Sequence, residues 1–123
     1  FVSFPGFLTK RQVCELINDS DVAIVPTNSE TFGLCIAEPF SVGCCVVSRN
    51  VGVAGELIDN AENGYIFDNE DDLFNVLSHL VVNPSSIAKC SKNALRDRRK
   101  FHWKAIAEQY REMYLSNDRR EKC

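Results

Sequence analysis

The hydrophobic pattern of this chain changes period twice. Asp21 to Val25 is a short apolar run rich in β-branched residues, the pattern of a strand covered on both faces, and Pro26 ends it. Thr27 to Thr31 is almost wholly polar and reads as a loop. Leu34 to Val42 is apolar again and predicts a short buried helix that stops at Gly43. Cys45 to Val47 is the next strand, so residues 21–47 form a strand, loop, helix, strand unit, which in a parallel sheet is a right-handed crossover. Upstream, Thr9 is a candidate N-cap and Val13, Leu16 and Ile17 recur at helical spacing, which predicts a helix over 10–19. A further strand is expected near Val2 to Phe4.

After Tyr65 to Phe67 the period becomes helical for the rest of the chain. Leu73, Leu77, Leu80 and Val81 mark one apolar stripe, with Asp71 and Asp72 in an acidic first turn. Asn83-Pro84 breaks that helix and starts another through Ile87, Ala88, Ala94 and Leu95. A last helix carries Trp103, Ile106, Ala107, Tyr110 and Tyr114. Pro39 interrupts the pattern, because a proline beyond the first turn removes a backbone hydrogen bond and is expected to kink its helix. Alternating strands and helices predict an α/β fold, a Rossmann-like parallel sheet followed by C-terminal helices.

In such sheets ligands sit outside the carboxyl ends of the strands, where the loop 26–33 is placed. The amides around Phe32, Gly33 and Leu34 open a helix, and unpaired N–H groups at the positive end of a helix dipole favour a phosphate. Two carboxylates flank this turn, Glu30 before it and Glu38 within the apolar helix. Glu38 reads as a buried charge that needs partners. The turn Asn50 to Gly55, with Gly52 and Gly55, follows the next strand as the first turn follows its own.

Composition narrows the picture. With 123 residues, 45% of them hydrophobic, the chain builds one core, so 1–123 reads as one domain or part of one. Fourteen basic against 17 acidic side chains give a net charge of -3, which excludes an electrostatic footprint for nucleic acid. No apolar run approaches the roughly 20 residues that span a bilayer, and no basic leader precedes an apolar stretch. The first residue is Phe1 and the single methionine is Met113, so the chain is read as part of a longer protein. The six cysteines show no metal-ligand spacing. Cys14, Cys35, Cys44 and Cys45 lie in apolar segments and read as buried, reduced thiols; a Cys44-Cys45 redox pair is the other reading. His79 and His102 stand apart from any nucleophile. The basic run Arg96, Arg98, Arg99, Lys100, His102 and Lys104 reads as a solvated face or as a contact for anionic lipid headgroups.

The stretch DVAIVPTNSETFGLCIAEPFSVGCCVVS, residues 21–48, resembles the donor-site motif of the retaining glycosyltransferases of the family 4 type, which have the two-domain GT-B architecture. In that family a Glu-x7-Glu pair brackets Phe-Gly-Leu and is followed by a small-residue helix, a glycine and a strand. Here these positions read Glu30, Phe32-Gly33-Leu34, Glu38, Gly43 and Val46-Val47. Phe4-Pro5-Gly6-Phe7, NVGVAGELI (50–58), AENGYIF (61–67) and FHWKAIAEQYREMY (101–114) resemble the flanking segments, so the likeness covers nearly the whole chain.

The resemblance implies the C-terminal half of a hexosyltransferase-type enzyme that binds a nucleotide-diphosphate sugar, transfers the sugar with retention and uses no metal or other cofactor. It implies that Glu30 contacts the transferred sugar as the catalytic residue and that Glu38 holds the ribose diol. Phe32, Gly33, Leu34 and Gly52 line the donor site, and the Ile58 position lies near the base. Acceptor binding and a basic pair gripping the diphosphate belong to upstream segments. The implied setting is cytoplasmic, with peripheral contact at a membrane. The sheet order 3-2-1-4-5-6 would make the strand near residues 2–4 strand 3 and Asp21 to Val25 strand 4, with strands 1 and 2 absent, an apolar edge on DVAIV and the chain alone inactive. A non-catalytic nucleotide-sugar-binding or regulatory module of the same fold remains the alternative. An epimerase fits the Glu30 to Glu38 region less well.

Overall fold

A computed structural model describes residues 1–118. It is α/β, with the order α1 (Lys10–Asn18), β1 (Val22–Val25), α2 (Leu34–Val42), β2 (Cys45–Ser48), α3 (Ala54–Leu57), β3 (Gly64–Ile66), α4 (Glu70–Val82), α5 (Pro84–Asp97), a 3-10 turn (Arg98–Phe101) and α6 (Trp103–Asp118). The three strands lie side by side in chain order, β1-β2-β3, all parallel. That is the arrangement expected of the 4-5-6 half of the sheet. Val22 pairs with Cys45 and Val25 with Ser48, and Ser48 in turn pairs with Ile66.

Burial along the strands follows from this order. β2 lies between two neighbours and is buried at every position. Its side chains alternate: Val46 joins Val25, Ile36, Phe40, Val53, Leu57 and Ala94 on one face, while Cys45 and Val47 join Tyr65, Phe67, Leu80 and Cys90 on the other. Helices cover both faces, which is why β2 reads as an uninterrupted apolar run. β1 is an edge, and its Ile24 is 45% exposed. An unpaired strand edge of this kind is a template for another strand.

Three expectations need correction. Residues 2–4 form no strand: residues 1–9 are irregular, with Phe1, Phe4 and Phe7 exposed, because no strand lies beside them to accept their hydrogen bonds. Val81 is exposed, and the face of α4 that meets the core is Leu73, Val76 and Leu80. Cys14 and Cys35 are exposed, whereas Cys44, Cys45 and Cys90 are buried; all five are free thiols, and Cys123 lies outside the described residues. Burial and a hydrogen bond to Cys90 hold the Cys45 thiol far above its ordinary range, the bond being the larger cause. It therefore stays protonated as a core donor.

A buried polar group locks the last strand to the helices. Asn63 accepts from the Asp59 N–H at 2.8 Å and donates to the Leu57 carbonyl at 3.1 Å and to Asp97 at 3.0 Å. It ties the segment before β3 to the end of α5.

Candidate functional site at the ends of the first two strands

The chain leaves β1 at Val25, runs outward through the polar loop and enters α2 at Gly33. Gly33 is the N-cap, and its φ of 94° lies in the left-handed region that glycine alone adopts without cost. No side chain caps this helix. The Gly33 carbonyl accepts from the Ile36 and Ala37 N–H groups, both at 3.0 Å. The Leu34 N–H, one step earlier, has no acceptor among the described residues, and the Cys35 N–H has no backbone acceptor and faces only its own sulfur. These are two of the orphan donors of a helix N-terminus, and with the helix dipole they make a positive spot at the carboxyl end of the sheet.

The turn after β2 closes the other wall. Val53 donates its N–H to the Phe32 carbonyl at 2.7 Å. Gly52, with φ 51°, passes so close that a Cβ there would lie 2.5 Å from the Phe32 oxygen and 3.0 Å from the Glu30 Cβ. Glycine at 52 is therefore a requirement of close backbone approach. The two loops that the sequence placed after consecutive strands are joined here, and Glu30, Phe32, Gly33 and Gly52 converge.

The two carboxylates differ. Glu30 is half-buried, and its Oε1 accepts a hydrogen bond from the Cys35 thiol at 3.4 Å. Although Cys35 is exposed as a residue, partial desolvation of its sulfur, and then that hydrogen bond and the Glu30 charge, push the thiol up, so it is a protonated donor at neutral pH. Glu38 is exposed, and its carboxylate has no hydrogen bond or ion pair among the described residues. The expectation of a buried Glu38 is corrected by helix phase. Ile36, Pro39 and Phe40 take the inward face of α2, which turns Leu34 and Glu38 outward one turn apart. Pro39 sits within α2, and Cys35, one turn before it, is thereby left without its partner N–H at the carbonyl. Phe32 and Leu34 are exposed at the lip of the crevice. Glu56 and Leu57 follow in α3, and Ile58 is buried in the core, so its side chain is withdrawn from the crevice.

On the far side of Phe32 lies a cavity of about 1020 Å³ between α2, α3 and α6. Phe40, Val53, Leu57 and Phe101 give it an apolar floor, and Arg98, Arg99, His102 and Lys104 stand at its rim. Arg98 donates to the Ser41 carbonyl at 2.8 Å, and Arg96 pairs with Asp97 at 2.9 Å. His79 is engaged by Ser86 and Asn83. No helix among the described residues is long and apolar enough to cross a membrane, and no group of His, Cys, Asp or Glu among them is arranged to hold a metal. Sequence reasoning passed over Cys35 as an apolar filler; its place two residues after the glycine, five after Glu30, was the available signal.

The family described as glycosyl transferases group 1 matches residues 2–97. The chain belongs to that family. Among its relatives, D-inositol 3-phosphate glycosyltransferase of Rhodococcus jostii is 31% identical over 105 residues, covering 84% of this chain and 23% of that protein. Glycogen synthase of Mycobacterium tuberculosis is 27% identical over 123 residues, covering 97% and 30%. Of solved structures, Anabaena Alr3699/HepE in complex with UDP and glucose is 25% identical with a TM-score of 0.77, over 94% of this chain and 32% of that one. The C-terminal domain of the Francisella tularensis group 1 glycosyl transferase LpcC is 21% identical with a TM-score of 0.70, over 77% and 50%, a likeness of fold. The fold is that of the C-terminal domain of a GT-B glycosyltransferase. The chain spans about a quarter of the length of its D-inositol 3-phosphate glycosyltransferase relatives.

Proposed function

We propose that these 123 residues are the donor-binding part of an enzyme that transfers a sugar from a nucleoside diphosphate to an acceptor, with retention of configuration. The observation that carries this reading is the convergence of an uncapped helix N-terminus, the half-buried Glu30 and the close Gly52 turn at the ends of β1 and β2. In this reading the Leu34 and Cys35 amides take the diphosphate. They stabilise the charge that grows on it as the glycosyl bond breaks, without a metal or further cofactor. Glu38, exposed and unpaired, accepts from the two ribose hydroxyls, each charge-assisted bond contributing roughly 1.5–3 kcal/mol net of exchange with water. Glu30 faces the transferred sugar. Phe32, Leu34 and Gly52 shape the walls.

Support comes from membership of the family and from the UDP and glucose held by the HepE structure. The acceptor is held outside these residues, in a cytoplasmic enzyme whose rim residues Arg98, Arg99 and Lys104 provide peripheral contact with anionic lipid. The test is Glu30→Ala in the full-length protein. Turnover falls roughly 10- to 100-fold, the size of one charge-assisted hydrogen bond removed from the transition state, while UDP affinity by calorimetry is unchanged. Normal turnover with weakened UDP binding would contradict the assignment.

A further inference from the structure

Glu30 is held at both ends. Its Cβ is backed by Gly52, where an added Cβ would come within 3.0 Å, and by Gly33, where one would come within 3.8 Å. Its carboxylate meets the Cys35 thiol at 3.4 Å, within range for a sulfur donor. Cys35 stands in the first turn of α2, so the helix fixes the thiol while the loop presents the acid. We infer that Cys35 is a positioning residue, whose thiol donates to Glu30 and sets where that carboxylate meets the donor sugar. The inference rests on the reading of Glu30 as the sugar contact.

The chemistry suits a thiol. A thiol is a weak donor, so the bond orients Glu30 in the free protein yet yields to a sugar hydroxyl without a large loss. A helix N-terminus by itself would draw a cysteine toward thiolate. Here partial desolvation of the sulfur and Glu30 act against that, with Glu38 adding to the same side. The charged groups facing the thiol are those two glutamates, so it remains a protonated donor. Valine at 35 would fill similar space and leave Glu30 without this partner, whereas serine would keep a donor.

Two measurements on the full-length protein test this. Peptide-resolved iodoacetamide labelling across neutral to alkaline pH reads the thiol directly. Glu30→Gln should move Cys35 labelling to lower pH and raise its rate at neutral pH several-fold, with exposed Cys14 as the internal control. Steady-state kinetics with UDP-glucose as the donor probe should show kcat reduced about 3- to 10-fold in Cys35→Val, with the donor KM changed about twofold at most, and most of the loss recovered in Cys35→Ser. A Cys35 labelling profile identical in wild type and Glu30→Gln would overturn the hydrogen bond. Equal losses in the serine and valine variants would overturn the positioning role. A shifted labelling profile in a protein with no sugar transfer would instead overturn the transferase reading, and with it the role at a sugar, while sustaining the contact between the Glu30 charge and the thiol.

Discussion

Helices α1 and α2 have nine residues each and opposite N-termini. α1 is closed by a capping box: Thr9 accepts from the Gln12 N–H, and the Gln12 side chain accepts from the Thr9 N–H at 2.9 Å. α2 begins at a left-handed glycine with no side-chain cap, and its first two amides lack backbone acceptors. The chain therefore uses ordinary capping chemistry where a helix only has to be stable. It leaves that chemistry out where the helix faces the crevice. The same contrast separates Asn63, whose side chain is satisfied on both sides in the core, from Glu38, whose carboxylate is unpaired at the surface. Asn63 needs protein partners because it is buried, whereas Glu38 is solvated and keeps its acceptor capacity free for a ligand.

The sharpest way to break the comparison is to close α2. Gly33→Asp places a cap and a negative charge at the open end. At about 4 Å from a phosphate and an effective dielectric near 20, one added charge costs about 4 kcal/mol, so nucleotide affinity should fall roughly 1000-fold. Gly33→Asn has the same shape without the charge and separates electrostatics from the strain at φ 94°. Calorimetry with UDP on both variants is the measurement. Equal losses would show that backbone strain alone explains the effect.

The second largest effect is expected at the opposite wall. A Cβ at position 52 would lie 2.5 Å from the Phe32 oxygen, on backbone that cannot swing away without breaking the Val53 to Phe32 hydrogen bond. Gly52→Ala should cost about 2–3 kcal/mol of stability, from the left-handed φ and the steric clash together, and should weaken UDP binding with it. Thermal unfolding measures the first and calorimetry the second. A stable variant with unchanged affinity would mean that the turn is free to move and is no wall.

Glu38→Gln sharpens the contrast without touching the fold, since the carboxylate supports nothing within the chain. Removing the charge from an acceptor of two hydroxyls should lower nucleotide affinity roughly 10- to 100-fold while leaving the unfolding temperature in place. Unchanged affinity for UDP would remove Glu38 from the site.

How far the sequence showed this depends on which force decides each position. α2 and β2 were legible because burial writes itself as apolar runs, while β1 was legible as an apolar run ended by Pro26 although only its Val25 is buried and Ile24 is exposed, against the expectation of a strand covered on both faces. The glycines were legible as turns, but only the approach of Gly52 to Phe32 shows why position 52 carries one. Glu38 was placed in the right helix and on the wrong face, since its apolar neighbours hid the phase set by Ile36 and Phe40. The strand expected at 2–4 failed because a strand depends on a partner that its own residues do not encode. Asn63 and Cys35 were missed because residue type alone named no partner for either, although the spacing of Cys35 from Glu30 was a local signal. Asp97 is brought to Asn63 by tertiary packing, and Glu30 to Cys35 by the geometry of the loop that enters α2.

The smallest expected effect belongs to the closed helix. Thr9→Ala removes the side chain that accepts from Gln12 and leaves the first amides of α1 to water. Loss of an N-cap threonine costs typically about 1 kcal/mol, so the protein should unfold a few degrees earlier. Its UDP affinity should stay at the wild-type value, because Thr9 bonds only to Gln12 and Val13 within α1 and to nothing in the loops that meet at Gly33 and Gly52. The capping residue of one helix would then affect stability alone, while a change at the matching position of the other acts chiefly on binding. Weakened UDP binding in Thr9→Ala would show that α1 is coupled to the crevice and that the two helix ends are not independent.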